Sequence, residues 1–364
     1  MKKDQDFMRM ALDLAATAKG KTNPNPVVGA ILVKDGVIVG SGIHRKAGEP
    51  HAEVHAFNMA GEHAKDATLY VTLEPCSHYG KTPPCAKLVK ESDVKRVVIA
   101  TEDPNPAVAG RGINILKEAG IDVEVGILKE EAQKLNERFI HNMIHQTPFV
   151  ISKVAMTLDG KIAAYTGHSQ WITGKEARQE VHFLRNEVDG ILVGVGTVLA
   201  DNPKLTTRLA IPSKNPVRII MDSHLRTPVD ANVADCSEAA TIIITTKSKN
   251  GEKAKALKEK GVQIITVSEL HGKIDLSEAL KQLYKNGITD ILLEGGSELN
   301  TSFLRAGLIQ KYIVYMAPKI LGGKNSYTSF RGNDVETIDE AVHLQYEEVE
   351  KIGSDLRIIA YPIQ

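Results

Sequence analysis

One imidazole and two thiols stand at spacings that suit a metal ion. His51-Ala52-Glu53 opens a segment with helical periodicity, Pro75-Cys76 follows a strand-like apolar run, and Cys85 follows Pro83-Pro84 where another helical segment begins. A neutral His and two thiolates form a three-ligand set for zinc. Three protein ligands leave the fourth tetrahedral position to water, which separates catalytic from structural zinc. Zinc brings the pKa of its water to ~7. Hydrolytic deamination also needs a proton taken from that water and delivered to a ring nitrogen and the leaving amine. Glu53, two residues beyond the His, is the natural shuttle. His-x-Glu with Pro-Cys-x-x-Cys is the zinc-deaminase pattern, the Glu not being a ligand. Here eight residues, not two, separate Cys76 from Cys85, a departure from cytidine and tRNA adenosine deaminases.

Each fragment alone is weak: a lone His-x-Glu arises by chance, and a lone cysteine is more often a small buried hydrophobe. The joint pattern, with each donor at an element end, carries the assignment to one zinc per chain. A structural zinc module without catalysis stays open beside it. Cys236 has no nearby His or Cys partner and is expected to be inert.

The elements that must position these residues read as alternating helix and strand. Phe7, Met10, Ala11, Leu14, Ala15 and Ala18 form one helical stripe over 4–19, with Asp4 as N-cap and Gly20 as the stop. Asp35-Gly36 between two apolar runs signals a hairpin. Helices are expected at 52–64, 84–91, 111–119 and 129–143. Strands are expected at 68–73, at Arg-Val-Val-Ile-Ala-Thr (96–101) and at 121–127. Such alternation implies a three-layer α/β unit. A boundary is expected at Gln146-Thr147-Pro148, giving domains 1–146 and 147–364. Beyond it, strands are expected at 149–155, 190–195, 217–222, 241–246, 262–267, 290–294 and 312–317, and helices at 175–187, 251–260, 275–286 and 297–306.

Composition bounds the function. The 364 residues suit two domains, and 42% hydrophobic with 25% charged residues is the mix of a globular protein with a sizeable core. Lys+Arg and Asp+Glu are both 45, which argues against a nucleic-acid partner. The N-terminus has acids among its bases and no long apolar stretch, and no segment approaches ~20 apolar residues. Neither secretion nor membrane insertion is expected. Three cysteines make no disulfide framework, so a cytoplasmic location is expected.

Wider motifs resemble a known family. Thr22-Asn23-Pro24-Asn25-Pro26-Val27-Val28-Gly29-Ala30, Gly42-Ile43-His44, Pro50-His51-Ala52-Glu53-Val54-His55-Ala56 and the run from Leu73-Glu74-Pro75-Cys76 through Lys81 to Cys85 resemble the deaminase half of the bifunctional riboflavin-biosynthesis deaminase/reductases. That family shows the eight-residue gap between cysteines. The resemblance implies His51, Cys76 and Cys85 as zinc ligands, Glu53 as catalytic shuttle, and Asn25, His44, His78 and Lys81 as substrate-binding residues. A cluster of His and Lys suits a phosphate monoester; on the residues alone, His78 and Lys81 read equally as a solvated loop.

The second half lacks a Gly-x-Gly-x-x-Gly in strand-turn-helix context. Gly194-Val195-Gly196 follows a strand, but position 199 is Leu199. Gly295-Gly296 precedes a helix whose N-terminus would welcome phosphate. The runs Lys153 to Lys161, Ser169 to Thr173, Val193 to Arg208 and Glu294 to Ser297 resemble the reductase half of the same family, which is similar in fold to dihydrofolate reductase. The implied fold class is α/β: an N-terminal cytidine-deaminase-like three-layer domain and a C-terminal dihydrofolate-reductase-like α/β domain. The resemblance implies that Ala155, Trp171, Thr197, Asp201, Ser223 and Gly296, Ser297, Glu298, Leu299, Asn300, Thr301 and Ser302 bind NADPH. It implies that Lys153, Ser169, Arg185, Leu205, Arg208 and Glu294 bind the substrate. Trp171 alone reads equally as plain core. Lys153 and Glu294 are the candidates for a proton donor, and the tail from 318 onward carries no distinctive motif.

The reading is therefore two successive steps on one phosphorylated pyrimidine, zinc-dependent deamination and then NADPH reduction of its ribosyl group to ribityl, by a homo-oligomer as the family implies. The alternative is a nucleoside or tRNA deaminase with an accessory binding domain.

Overall fold

The computed structural model describes residues 2–77, 83–105, 109–247, 251–332 and 335–363. The chain divides into two units, Met1–Gln146 and Thr147–Gln364. In chain order the first holds α1 (Lys2–Ala16), β1 (Gly29–Lys34), β2 (Val37–Ile43), α2 (Ala52–Ala60), β3 (Thr68–Val71), α3 (Cys85–Glu91), β4 (Arg96–Ile99), α4 (Arg111–Glu118), β5 (Asp122–Val125), α5 (Lys129–Leu135) and α6 (Glu137–His145). The sheet runs β2-β1-β3-β4-β5, with β1 antiparallel to both neighbours and β3, β4 and β5 parallel.

Alternation along β1 builds the three layers. Ala30 and Leu32 pack with Ala52, Ala56 and Phe57 of α2, Val89 of α3, and Ile113 and Leu116 of α4. Ile31 and Val33 pack on the opposite face with Met8, Ala11 and Leu12 of α1 and Ala132 of α5. Glycine sets the close approach of α2: a Cβ on Gly42 would lie 2.1 Å from the Ala52 carbonyl. Any larger residue would push away the helix whose N-cap is His51.

Three details differ from the sequence expectation. The helix begins at Lys2 and ends at Ala16, so Asp4 is not an N-cap and Gly20 is not the stop. Asp4 instead turns inward, accepting from Tyr70 Oη and Arg96 Nη1, both at 2.7 Å. The helix expected over 129–143 is interrupted at Asn136, whose backbone departs from helical angles (φ −107°, ψ 22°) and whose side-chain amide bonds both backbone groups of Val27. The helix expected through 64 closes with a 3-10 turn, Gly61–Ala64.

The second unit holds β6 (Phe149–Thr157), β7 (Lys161–Ala163), α7 (Lys175–Glu187), β8 (Gly190–Gly194), α8 (Val195–Asp201), β9 (Val217–Met221), β10 (Thr241–Thr245), α9 (Glu252–Glu259), β11 (Gln263–Thr266), β12 (Glu269–Leu270), β13 (Lys273–Ile274), α10 (Leu276–Lys285), β14 (Asp290–Leu293), α11 (Ser297–Arg305), β15 (Lys311–Ala317), β16 (Tyr327–Thr328), β17 (Leu344–Ile352) and β18 (Asp355–Pro362). Nine strands form one sheet, β11-β10-β9-β8-β14-β6-β15-β18-β17, parallel until β18 and β17 add an antiparallel hairpin. Runs such as Ile242-Ile243-Ile244 are buried on both faces, as a parallel sheet covered by helices requires.

The tail that carried no motif therefore supplies two strands of this sheet, and β16 beside β7. It also anchors α7. Arg357 of β18 pairs with Glu180, whose carboxylate also accepts from Tyr315 Oη at 3.2 Å, and Asp355 accepts from the backbone N–H of Gly174 at 2.6 Å. Among the described residues, no helix is long and apolar enough to cross a membrane.

Burial raises the Asp4 carboxyl, but its bonds to Arg96 and Tyr70 outweigh that and hold it at about 2. A carboxylate depressed in the folded state stabilises above its unfolded value of ~3.9 and loses that contribution as pH falls towards 2. We expect Asp4→Asn to cost about 1–2 kcal/mol at pH 7, and the difference from wild type, followed by thermal melts, to shrink steadily below pH 4.

Candidate functional site

Three element ends meet in the first unit. His51 caps α2, Cys76 lies just beyond β3, and Cys85 starts α3. His51 Nδ1 lies 3.6 Å from Cys76 Sγ and 3.4 Å from Cys85 Sγ, and the three donors lie within 4.8 Å of one another. With Zn–S near ~2.3 Å and Zn–N near ~2.0 Å, tetrahedral donors stand roughly 3.5 Å apart, so the trio fits zinc by geometry and by donor type. The hydrogen bond from Cys85 and the neighbouring His51 draw Cys76 down towards the thiolate, while the same bond and burial push Cys85 up. The pair thus shares one proton, which zinc binding would displace. Glu53 is buried beside the Cys85 thiol, and burial pushes its carboxyl up to about 7.

Asn25 and His44 meet beside this trio. The His44 ring packs edge-on to His51, 5.3 Å between centroids. Its Nδ1 is 3.2 Å from the Pro50 carbonyl, which can only accept, so Nε2 accepts from Asn25 Nδ2 at 3.1 Å. With both ring nitrogens engaged and the side chain buried, His44 orients the Asn25 amide. His78 and Lys81 lie outside the described residues.

Sequence reasoning quoted Glu74 without giving it a task. Its buried carboxylate accepts four backbone N–H bonds, from Asp103 (3.1 Å), Gly110 (3.0 Å), Gly112 (2.8 Å) and Ile113 (3.3 Å). Two of these donors are in the first turn of α4, where an anion is favoured. The bonds lock the chain immediately before Pro75-Cys76. The signal available was an acid held inside an apolar strand end.

In the second unit a cavity of about 1240 Å³ lies over the C-terminal ends of β8, β9 and β14 and beside β6. Its wall includes Ala155, Thr197, Asp201, Ser223, Gly296, Ser297, Glu298, Leu299, Asn300 and Ser302 of the cofactor set, and Lys153, Ser169, Arg185, Leu205 and Glu294 of the substrate set. Trp171, Thr301 and Arg208 are not in this wall. Trp171 is 60% exposed, which excludes plain core, and the Arg178 guanidinium lies 4.5 Å over its ring. Thr301 ties α11 to the stretch after β16, accepting from the N–H of Arg331 while donating to the Ser297 carbonyl of its own helix. Gly295 lets the backbone turn tightly before α11, since a Cβ there would lie 2.8 Å from Asn300 Oδ1. The α11 N-terminus faces the cavity and can receive a phosphate.

Glu294 is the electrostatic centre of that wall. Lys153 Nζ lies 2.9 Å from its Oε2, and Arg185 bonds it twice, Nε to Oε1 at 2.8 Å and Nη2 to Oε2 at 3.0 Å. Burial raises the Glu294 carboxyl, but Arg185 and Lys153 together hold it well below the usual range. Glu294 is therefore ionised and has no proton to give. Arg185 spends three donors on Glu294 and the Thr206 carbonyl, so it is committed to holding Glu294 more than to gripping a phosphate.

A metal trio with a buried carboxyl, joined on one chain to a cation-lined nucleotide-sized cavity, defines a two-part enzyme of the zinc deaminase and reductase classes. The family model for the cytidine and deoxycytidylate deaminase zinc-binding region matches residues 1–101, and that for the RibD C-terminal domain matches 148–358. The riboflavin biosynthesis protein RibD of Aquifex aeolicus is 48% identical, covering 98% of this chain and 97% of its own. That of Escherichia coli is 42% identical, covering 97% and 98%. Acinetobacter baumannii RibD (form 1) superposes with a TM-score of 0.89 at 40% identity, covering 100% and 99%. The chain belongs to the RibD family of bifunctional deaminase/reductases of riboflavin biosynthesis. It is a hydrolase and an oxidoreductase, with zinc serving the first activity and NADPH the second.

Glu53→Gln should retain one zinc per chain by metal analysis and lower ammonia release by about 100-fold or more. Glu74→Gln sets an NH2 against backbone donors and should cost about 1–3 kcal/mol. Amide exchange at Gly112 and Ile113 should accelerate with it.

Proposed function

We propose that residues 1–146 deaminate 2,5-diamino-6-ribosylamino-4(3H)-pyrimidinone 5′-phosphate, and that residues 147–364 then reduce the ribosyl group of the product to ribityl. The Thermotoga maritima structure titled as a diaminohydroxyphosphoribosylaminopyrimidine deaminase and 5-amino-6-(5-phosphoribosylamino)uracil reductase supports the substrate, at a TM-score of 0.86 and 38% identity. One observation carries the pairing: a three-donor metal site with a buried acid and a cavity walled by Lys153, Glu294 and Arg185 occur on the same chain.

Zinc, when bound by His51, Cys76 and Cys85, supplies the Lewis acid that activates water at neutral pH. Glu53 moves the protons: it takes one from water and gives it to the ring nitrogen, then takes the second from the hydroxyl added at the ring carbon and gives it to the amine that departs as ammonia. Burial raises its carboxyl, which suits a group that both takes and gives protons. Asn25 Oδ1 orients the substrate by accepting a hydrogen bond, its amide fixed by His44. In the second step NADPH, when held in this cavity, would supply the hydride that reduces the sugar C1′. The C1′–O bond opens, and the released oxygen takes a proton. Lys153 is the donor, because the other candidate, Glu294, is held as the carboxylate and serves to place the Lys153 ammonium. Thr197, Asp201, Ser223 and the start of α11 line the cofactor's path. The protein acts in the cytoplasm as a homo-oligomer on a free small molecule, without nucleic acid.

The test is one assay on zinc-loaded protein with this substrate. Ammonia should appear without NADPH, and NADPH should then be consumed only after ammonia release. Arg185→Ala should abolish NADPH consumption while ammonia release continues. Turnover of free cytidine or tRNA with no NADPH consumption would contradict the proposal.

A further inference from the structure

His182 has had no part so far. It stands one turn before Arg185 on the same face of α7. Both side chains reach the stretch after Leu205, which runs without helix or strand to 216. Such a stretch has no ladder to fix its backbone, so side chains must do it. Arg185 Nη1 donates to the Thr206 carbonyl at 3.1 Å, Asn215 Oδ1 accepts from the N–H of Thr207 at 2.8 Å, and His182 Nδ1 accepts from the N–H of Arg208 at 3.2 Å. Three consecutive residues are thereby held from outside, and His182 holds the one that carries the guanidinium.

The second ring nitrogen sharpens the point. A ring whose Nδ1 accepts carries its proton on Nε2 when neutral. Burial, with Arg185 and Arg208 close by, keeps His182 down at about 4, so the ring is neutral at physiological pH. Nε2 lies 3.5 Å from Arg208 Nη2. Both atoms are then donors, and two donors side by side do not satisfy each other. An acceptor oxygen placed against both satisfies them together.

We propose that His182 fixes Arg208 through Nδ1 and, through Nε2–H, joins it as a second donor to one oxygen of the substrate phosphate. A guanidinium fork beside a neutral imidazole N–H suits a dianionic phosphate monoester. The proposal rests on the reading that the second unit binds a phosphorylated sugar at Arg208. It makes His182 a positioning and binding residue for the reductase, acting where sequence motifs pointed only to its neighbours.

The test compares two reductase substrates on the full-length, zinc-loaded protein: the phosphorylated ribosylaminopyrimidine and the same compound without its phosphate. His182→Ala should raise KM for the phosphorylated substrate about tenfold, leave kcat within about twofold, and leave KM for the unphosphorylated compound unchanged. Competitive inhibition by inorganic phosphate should weaken in parallel. His182→Asn, which keeps a short acceptor and an N–H donor, should recover most of the loss. Adding His182→Ala to Arg208→Ala should cost little more, because the two act as one unit. Equal losses for both substrates would make His182 a structural prop and overturn the proposal. A phosphate-selective loss in Arg208→Ala but not in His182→Ala would overturn it alone. No selective loss in either variant would overturn the placement of the phosphate at Arg208 as well.

Discussion

A carboxylate taken out of water must find donors, and in each unit that requirement fixes the chemistry in space. In the first, Glu74 gathers four backbone N–H groups from the 103–113 segment. The acid sits one residue before Pro75, so satisfying it also sets the path into the Cys76 ligand. In the second, Glu294 at the end of β14 draws Lys153 from β6 and Arg185 from α7. Removing one partner of such a buried pair leaves an uncompensated charge, at a cost of about 3–5 kcal/mol. Both acids are thus commitments of the fold before they are parts of a site.

The sheets explain why those positions are available. In an open α/β sheet, ligands collect beyond the carboxyl ends of the strands. Cys76 and Glu74 follow β3, and the Gly194–Thr197, Ser223 and Glu294–Ser297 stretches follow β8, β9 and β14. The functional loops need rigid support, and α7 has it from two sides: its N-terminal end and middle are tied to β18 by Asp355 and Arg357, and its last turn is tied to Glu294 by Arg185. Strands that carry no motif thereby hold the helix that carries His182 and Arg185.

Much of this was legible in the sequence, for physical reasons. The strands hold unbroken apolar runs at 191–193, 219–221, 242–244 and 291–293, and the helices between them have a clear amphipathic period. The zinc trio was legible because its residue types are rare and sit at element ends. What was not legible depends on contacts between distant segments. Asp4 has the look of a helix cap, but Tyr70 and Arg96, far along the chain, turn it inward. Asn136 interrupts a helix where its side-chain amide bonds both backbone groups of the distant Val27. β17 is exposed along its length and lacks the alternation that would announce it. Glu74 and His182 act through backbone groups, which leave no trace in residue type.

The chemistry of the first unit requires that His51, Cys76 and Cys85 alone hold the zinc while Glu53 stays out of its coordination. A crystal structure of the zinc-loaded protein with anomalous data at the zinc edge measures this directly. One zinc peak per chain is expected in the first unit, bonded to His51 Nδ1 and the two sulfurs, with a solvent ligand in the fourth position and the Glu53 carboxyl beyond bonding distance. A peak coordinated by a fourth protein atom, Glu53 included, would mark a closed structural site and contradict that requirement.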